Sequence, residues 1–455
     1  MNSIIKEIQR RCVILGFGGV ARPICHIFTT RFPMKEYLLV DKRKIDDNEL
    51  KLFGDKKVTR LEIDIKPEKL FETILNIIND GDIVCDFFGC NETLDILKAC
   101  NLKKDIVYIN SSMEENILKP YPTQNDLYNA FEEFRKQTNS TLKGCIDAGA
   151  NPGMITHFAI LGLFSMAKYA IDIKTPDSKE IEILLKNKNI AKLAEILKID
   201  VIHISEIEEI EPNDRANFKG YLTSSWCINS FIDEWNTNAE ITMGNHDKDY
   251  ISKNDYKIIP LSNPPAVKCP FPLYMKTASP KKIFTGKVVI HPETLEISQI
   301  FSSETHIPTV AFVYKPSRLT RQNLEDKNWN NLPHKVFNEL NSGPLNGYET
   351  MGATLISSRD DIPSRWFGSI VSCEQERKIG ANSNPTVLQV AAGIISHLIM
   401  CLENPRKGLY MPHDFDSYKI MEIAKPFLGT IVDINLPLSF LYFLKSCFLL
   451  KKKWI

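Results

Sequence analysis

A short glycine-rich segment near the start of the chain has the residue types and spacing of a dinucleotide-binding turn. Gly16, Gly18 and Ala21 follow the apolar run Cys12–Leu15. In such a turn the first glycine permits a tight bend, the second lets the backbone approach a pyrophosphate, and a small third residue allows close helix packing. The amides at the start of the next helix then hold the phosphate charge. The predicted cofactor site therefore includes Gly16, Phe17, Gly18, Gly19, Val20 and Ala21.

The residue expected to select the cofactor ends the next apolar run, Tyr37–Val40. Asp41 lies about 20 residues after the turn, where a carboxylate accepts hydrogen bonds from ribose hydroxyls. The same carboxylate would repel a 2′-phosphate, so NAD is the predicted cofactor. Lys42 and Arg43 directly after Asp41 could offset that repulsion, and NADP therefore stays open.

Later strand ends and turns supply further candidates. Four of these residues are predicted to contact the cofactor: Gly89, Asn110, Asn151 and Pro152. Asn151 stands in a proline-containing turn, where its amide could contact nicotinamide or substrate, although ordinary turn chemistry would also explain it. Glu114 lies on a presumed loop at the carboxyl end of the sheet, which is where ligands bind in such folds.

Two more side chains follow apolar runs of the second half of the chain. Glu206 ends the run Val201–Ile204, a placement that puts a carboxylate at a sheet edge or in a cleft. It could instead belong to a solvated acidic run with Glu208 and its neighbours. His291 follows Val288–Ile290 and could orient a substrate or relay protons near neutral pH, although a lone histidine is more often structural.

The elements that must position these residues indicate an α/β fold. Apolar runs alternate with helical patterns over the first 150 residues, which predicts an N-terminal Rossmann-type doubly wound parallel sheet. Short β-like runs and helices then predict a second, mixed α+β substrate domain, with C-terminal helices returning to the cofactor domain. The predicted helices include Met154–Met166, one amphipathic helix at 187–198, and Asn384–Glu403. The predicted domains are 1–150, 151–383, a helical segment 384–430 and a tail 431–455.

Composition narrows the class of protein. The chain has 455 residues, with 56 Lys plus Arg against 56 Asp plus Glu. No overall positive field is present to hold nucleic acid or an anionic membrane. Eleven scattered cysteines without a Cys-x-x-Cys pair predict reduced thiols in a cytoplasmic protein and no metal site.

The two ends of the chain carry no predicted membrane span. The first residues lack the apolar core of a signal peptide. The apolar run Leu436–Leu450 is broken by Lys445 and is too short to span a bilayer. This basic, aromatic tail could touch a membrane surface, but a terminal helix docked on the body or a frayed tail is the plainer interpretation.

Several motifs occur in the same order as in a known family. They are Gly149–Phe158, Val201–Glu206, Thr223–Phe231, Thr285–Gly286 with His291–Glu293, Trp366–Ser369, Leu388–Val390 and Leu402–Gly408. On these motifs the chain resembles the bacterial type of homospermidine synthase, within the saccharopine-dehydrogenase-like superfamily. The resemblance implies putrescine as substrate, an NAD that is reduced and reoxidised within one turnover, and a possible homodimer.

The resemblance also implies a set of residues for a cationic substrate. An ammonium buried without a counter-charge would lose much of its solvation energy, so carboxylates and aromatic faces are required. The family motif implies Trp226 as a cation-binding ring and Glu234, eight residues later, as a pocket glutamate. Their alternatives are a core tryptophan and an exposed helix charge. The predicted catalytic set is Trp226, Glu206, Glu234, His291, Asn151, Glu114 and, through a gapped alignment, Glu349.

Departures from the family pattern leave two alternatives open. Asn110–Asn116 lacks one acidic and one aromatic residue, Asn91 is an amide where the family has a carboxylate, and Glu234–Asn236 replaces a Gly-Leu-Gln run. One alternative is a saccharopine or carboxynorspermidine-type dehydrogenase with net redox change, whose substrates carry carboxylates and would need an Arg or Lys cluster. The other is a degenerate homologue that binds NAD or a polyamine without turnover.

Overall fold

The computed structural model describes residues 7–89, 92–115, 120–137, 142–252, 256–326, 328–336, 342–404 and 406–436. Asn91, Pro405 of the last motif and the tail beyond residue 436 lie outside the described residues.

The first layer is an all-parallel sheet of seven strands. The strands are β1 (Ile8–Leu15), β2 (Met34–Asp41), β3 (Lys57–Glu62), β4 (Ile83–Asp86), β5 (Val107–Asn110), β6 (Lys143–Cys145) and β18 (Gly408–Tyr410). They lie in the order β18-β6-β5-β4-β1-β2-β3, so the strand order reverses next to β1 as in a doubly wound fold. Residues 12–15 of β1 are fully buried, as expected for a parallel strand covered on both faces.

The second layer is a mixed sheet, also of seven strands. They are β7 (Ile199–Pro212), β12 (Tyr274–Ala278), β13 (Ile283–Val289), β14 (Thr309–Lys315), β16 (Leu345–Ser357), β17 (Arg365–Ser372) and β19 (Thr430–Asn435). The order is β12-β13-β14-β7-β16-β17-β19. β7 lies at its centre, parallel to β14 and antiparallel to β16.

Two small sheets complete the strand inventory of the described residues. β9 (Glu240–Thr242), β10 (Lys257–Ile258) and β11 (Ala266–Lys268) form one, and β8 (Leu222–Ser224) pairs with β15 (His334–Val336) in the other.

The α-helices of the described residues cover and connect these sheets. They are α1 (Ala21–Arg31), α2 (Asp47–Leu50), α3 (Leu70–Ile77), α4 (Thr93–Asn101), α5 (Gln124–Gln137), α6 (Ile155–Asp172), α7 (Ser178–Lys186), α8 (Ile190–Ile196), α9 (Ile228–Asn236), α10 (Lys248–Ser252), α11 (Glu293–Phe301), α12 (Arg318–Leu324), α13 (Cys373–Ile379), α14 (Pro385–Glu403) and α15 (Ser417–Ala424).

One predicted helix is corrected by the structure. The helix predicted at 187–198 covers only Ile190–Ile196 (α8), because Lys188 adopts a left-handed φ of 52° and Asn189 caps the helix. The Asn189 side chain accepts a hydrogen bond from the backbone N–H of Lys192 at 3.1 Å, which caps α8. Helical periodicity continues through the break, so the pattern alone did not reveal it.

Two apolar segments pass a length and composition test for membrane spans. Ala150–Asp172 and Pro385–Glu403 are long and apolar enough, yet 78% of each tested window is buried within the protein. Both segments therefore contribute to the core. α6 packs on β16 and β17 of the second sheet, whereas α14 packs on β5 and β6 of the first.

The predicted fold class is confirmed, including the return of the C-terminal segment to the cofactor domain. β18 extends the first sheet beside β6, after α14 has crossed it. The chain then enters the second sheet as β19, which pairs with β17. The segment predicted as a tail from residue 431 therefore begins in β19, an edge strand of the second sheet. The predicted domain boundaries stay predictions.

Candidate functional site

A cavity of about 540 Å³ is lined by residues from both large sheets and from the segments between them. Predicted site residues that line it are Val20, Gly89, Glu114, Asn151, Glu206, Trp226, Glu234 and His291. The structure thus brings together every predicted catalytic residue except Glu349, which lies just behind the lining. Among the residues of the glycine-rich turn, Gly16–Ala21, only Val20 lines this cavity.

The register of three neighbouring strands creates an acidic cluster at the inner end of the cavity. Glu206 and Glu208 are two residues apart on β7 and therefore share a face. Glu349 of β16 lies directly opposite Glu208, and Tyr314 of β14 pairs with Glu206. Carboxylate oxygens of the three glutamates lie within 4.8 Å of one another, and all three residues are buried.

Burial and mutual repulsion raise the pKa values of Glu206 and Glu349. Burial, followed by the charge of Glu208, raises the pKa of Glu206 to about 8. Burial and the two neighbouring carboxylates place the pKa of Glu349 well above its ordinary value. Like charges directly opposite each other in a sheet are destabilising. A cation that enters here would replace the protons and relieve the repulsion.

Among the described residues, this cluster is also the group whose ligand atoms converge closely enough for a metal ion. Its carboxylate oxygens would suit a hard cation. The same oxygens suit an ammonium group, which needs hydrogen-bond acceptors as well as negative charge.

Glu208 connects the acidic cluster to the turn that carries Trp226. Its carboxylate accepts hydrogen bonds from Ser225 Oγ at 2.5 Å, Tyr314 Oη at 2.7 Å and the backbone N–H of Ser317 at 3.2 Å. The Ser225 carbonyl in turn accepts from the Asn384 side chain at 2.6 Å. These bonds hold the turn rigidly beside β7.

Trp226 is half-buried: it packs against the main apolar core and also lines the cavity. The edge of its ring system contacts Phe231, with ring centroids 6.5 Å apart. Phe231 stacks on Trp235 at 5.7 Å, and both belong to α9. An aromatic wall therefore supports the predicted cation-binding ring.

His291 lies between two glutamates on the opposite wall. Its Nδ1 is 2.5 Å from Glu293 and its Nε2 is 3.2 Å from Glu234. Burial opposes protonation, but the two carboxylates outweigh it and hold the pKa of His291 well above its ordinary value. His291 is therefore an imidazolium that donates to both neighbours. Lys287 donates to the backbone carbonyls of Glu234 and Trp235 at the end of α9, which fixes Glu234 in place.

The turn of Asn151 joins the two halves of the site. Its side-chain amide donates to a carboxylate oxygen of Glu206, and the peptide bond before Pro152 is cis. Gly153 has a φ of 125°, and a Cβ there would lie 2.8 Å from the carbonyl carbon of Ala148. A side chain at position 153 would therefore displace the turn.

The other predicted residues occupy different places. Glu114 lines the cavity, and its carboxylate accepts from Ser112 Oγ at 3.0 Å. Asn110 does not line the cavity. Its amide nitrogen donates to the Ser112 carbonyl at 2.7 Å and its oxygen accepts from the Asp147 N–H at 2.9 Å. These bonds give Asn110 a structural role, and its predicted cofactor contact stays a prediction. Pro152 is buried outside the lining.

Several lining residues were not predicted from the sequence. They are Glu115, Cys227, Asp233, Tyr314, Thr386 and Val390. Glu208, behind the lining, was also missed as a site residue. Its spacing of two from Glu206 was the available signal, because alternate residues of a strand share a face. Thr386 and Val390 come from α14, which local pattern alone could not place against the cavity.

The glycine turn has room for a dinucleotide. Gly16 has a φ of 85°, and its N–H donates to the Val40 carbonyl at 2.8 Å. A Cβ at Gly18 or Gly19 would meet no described atom within 4 Å, so open space adjoins the backbone there. Asp41 is fixed beside the turn because its carboxylate accepts from the N–H of Phe17 at 2.8 Å. The residues present therefore fit the predicted cofactor.

We expect Gly18→Val to abolish NAD binding without lowering the melting temperature, because its side chain would occupy only the open space that the pyrophosphate needs. Gly16→Val is the contrasting variant. A Cβ at position 16 would lie 2.6 Å from the Phe87 carbonyl oxygen, so this variant should unfold. Calorimetric NAD titration and thermal melts measure both. A folded Gly18→Val protein with normal NAD affinity would contradict this placement of the cofactor.

Comparisons with known proteins agree with the motifs. Residues 12–144 match the family described as saccharopine dehydrogenase NADP binding domain. The chain is 22% identical over 463 residues to homospermidine synthase of Mesorhizobium japonicum, covering 93% of this chain and 90% of that protein. It is 23% identical over 469 residues to the homospermidine synthase of Blastochloris viridis, covering 95% and 92%.

A solved structure shares the fold. The homospermidine synthase of Legionella pneumophila, crystallised in complex with NAD, matches with a TM-score of 0.79 at 24% identity, covering 96% of this chain and 93% of that one. Residues 12–144 are thus similar to a saccharopine dehydrogenase NADP binding domain, and the chain has the fold of an NAD-bound homospermidine synthase. The chain is similar to homospermidine synthases over nearly its whole length, which confirms the resemblance predicted from the motifs.

Proposed function

We propose that the protein is an NAD-dependent homospermidine synthase that joins two putrescine molecules, or spermidine and putrescine. The observation that carries this proposal is the charge of the cavity. Five carboxylate residues line it, namely Glu114, Glu115, Glu206, Asp233 and Glu234, and none of the described lining residues is Lys or Arg. Such a lining attracts an ammonium and repels a carboxylate.

The same observation weighs against the dehydrogenase alternative. Saccharopine and carboxynorspermidine carry carboxylates, which need cationic partners when they are desolvated. Lys287 lies nearby but is bound to the carbonyls at the end of α9. The described part of the cavity therefore offers such a substrate no guanidinium or free ammonium.

The carboxylates supply two kinds of contact for a diamine. Glu206, with Glu208 and Glu349 behind it, would bind an ammonium at the inner end of the cavity. Glu234, held by the His291 imidazolium, lies on the opposite wall. Trp226 would contribute about 0.5 to 2 kcal/mol as a cation-binding face, depending on desolvation.

Proton transfer is required because the substrate amine must lose its proton before its carbon–nitrogen bond is oxidised. Glu206 has a pKa of about 8, close to neutral pH, and can accept or return a proton there. When bound, NAD would accept a hydride from the substrate and later return it, so that two putrescines yield homospermidine and ammonia without net redox change.

We expect putrescine turnover to continue with NAD at a small fraction of the putrescine concentration, because the hydride returns to the product. Mass spectrometry for homospermidine and absorbance at the NADH band measure the two quantities. NADH accumulating in proportion to substrate would favour the dehydrogenase alternative instead. NAD binding without either product would favour the degenerate homologue.

A further inference from the structure

We propose that Glu49 selects NAD over NADP by neutralising two arginines beside the glycine turn. The inference rests on the proposed function only in assuming that a nicotinamide dinucleotide binds at Gly16–Ala21. It concerns the end of that site next to Asp41, where an NADP molecule would carry its additional phosphate on the adenosine ribose.

Arg22 and Arg43 flank the ring of Phe17 in the turn. The guanidinium carbon of Arg22 lies 5.9 Å from the ring centroid, and that of Arg43 lies 6.0 Å from it. The backbone N–H of Arg43 also donates to the Asp41 carboxylate at 2.9 Å. Two cations of the type that binds phosphate best therefore lie beside the residue expected to face the ribose.

Both guanidiniums are engaged by one carboxylate. Arg43 binds Glu49 with two parallel hydrogen bonds, Nη1 to Oε2 at 2.8 Å and Nη2 to Oε1 at 3.0 Å. Arg22 Nη2 is 2.5 Å from the same Oε1. A bidentate Arg–carboxylate pair is the geometry in which the guanidinium fork is fully used. Glu49 thus binds three guanidinium nitrogens that would otherwise be open to a phosphate, and leaves Arg22 Nε without a partner.

Local structure holds Glu49 in this position. It belongs to the short helix α2, in which the backbone N–H of Asp46 donates to Glu49 Oε2 at 2.9 Å. The Asp46 side chain reciprocally accepts from Asn48, which completes a capping box. Because the capping box holds the Glu49 carboxylate, the carboxylate stays between the two arginines.

The charge balance gives the selectivity. Arg22 and Arg43 together carry two positive charges, and Glu49 and Asp41 carry two negative ones, so these four side chains sum to zero, while the exposed Lys42 beside Asp41 is the remaining nearby cation. A phosphate monoester carries about −1.5 to −2 at pH 7. It would find no net attraction and two opposing carboxylates, whereas NAD needs only the acceptor oxygens of Asp41.

The test is calorimetric titration of NAD and NADP against the wild type and Glu49→Gln. Gln keeps the acceptor for the Asp46 N–H but removes the charge. We expect NADP affinity to rise at least tenfold and NAD affinity to change less than threefold. Glu49→Ser also removes the carboxylate, with a shorter side chain, and should give the same gain in NADP affinity. Thermal melts establish that each variant is folded.

Two further variants control the interpretation. Glu62→Gln removes a charge from the neighbouring strand β3, at the position paired with Asp41, where the exposed carboxylate forms no ion pair with either arginine. It should leave NADP affinity unchanged. Arg43→Ala combined with Glu49→Gln should lose most of the gained affinity.

The outcomes separate this inference from the proposed function. If the wild type binds NAD and neither Glu49 variant gains NADP affinity, the inference is overturned and the proposed function is unaffected. An equal gain in Glu62→Gln would also overturn it, since general charge would then explain the effect. If the wild type binds neither dinucleotide, the proposed function fails and the inference fails with it.

Discussion

Glu206→Gln is expected to raise the melting temperature of the free protein while it lowers kcat/KM for putrescine by about a hundredfold. The stabilisation follows because Glu206, Glu208 and Glu349 are buried with their carboxylate oxygens within 4.8 Å. Near neutral pH the folded state must hold a proton on Glu206 that the unfolded state has lost, and replacing Glu206 by neutral Gln removes that free-energy cost. The kinetic loss follows because truncating one partner of a buried charge pair costs about 2 to 5 kcal/mol, and a factor of a hundred corresponds to about 2.7 kcal/mol.

Glu209→Gln is the matched control on the same strand. Glu209 forms its ion pair with Lys282 on the other face of the sheet, and its side chain is about one-third exposed. Neither melting temperature nor putrescine kinetics should change appreciably, since exposed pairs contribute about 0 to 1 kcal/mol. A lower melting temperature for Glu206→Gln with unaltered kinetics would assign Glu206 to the structure instead of the substrate.

The pH dependence of the same pair of proteins provides a second measurement. In the folded wild type the pKa of Glu206 is raised from 4.5 to about 8, so between these values the folded state holds a proton that the unfolded state has lost. Stability therefore falls as pH rises through this window. Diamine binding should strengthen over the same window, because the ionised carboxylate is the form that binds ammonium. Both slopes should be weaker in Glu206→Gln.

The acidic cluster shows which part of this site a local sequence pattern could predict. Glu206 was predicted because it ends an apolar run, whereas Glu349 was predicted only through a gapped alignment with the family and Glu208 was missed. Glu349 becomes its neighbour only through the antiparallel register of β16 with β7, where Glu349 lies opposite Glu208. That pairing joins segments far apart in the chain, and no local periodicity specifies it.

The two sheets differed in predictability for a related reason. The first sheet alternates strand and helix along the chain, so hydrophobic runs and the glycine turn predict its fold class directly. The second sheet takes β16, β17 and β19 from late segments that pair with β7 and with one another.

For Asn110, the sequence predicted the position of the residue but not the orientation of its side chain. It ends β5 as expected, but its amide bonds to Ser112 and Asp147.

Substitution of His291, which lies between Glu234 and Glu293, is expected to have the largest effect on the free energy of unfolding. His291→Gln should lower the free energy of unfolding by about 3 to 5 kcal/mol at pH 7, because it removes the cation from a buried charge network and leaves two carboxylates facing a neutral amide. Glu293 is fully buried, and the Glu234 side chain is 16% exposed. Urea unfolding followed by fluorescence measures the difference.

The sign of the pH dependence follows from the direction of the His291 shift. The folded-state pKa of His291 lies well above its ordinary value of 6.5. The stability it contributes is therefore fully present below pH 6.5 and is lost as pH rises through the folded pKa. The difference in the free energy of unfolding between the wild type and His291→Gln should therefore become smaller in alkaline buffer.

A second histidine serves as the control. His306 Nε2 bonds to the Ile199 carbonyl at 2.9 Å, with no carboxylate partner. His306→Gln should cost only about 1 kcal/mol, the ordinary contribution of one hydrogen bond. If His291→Gln costs no more than His306→Gln at any pH, His291 is a neutral hydrogen-bonding group. Glu234 would then be free of the cation that holds it, and its role on the substrate side of the cavity would need a different explanation.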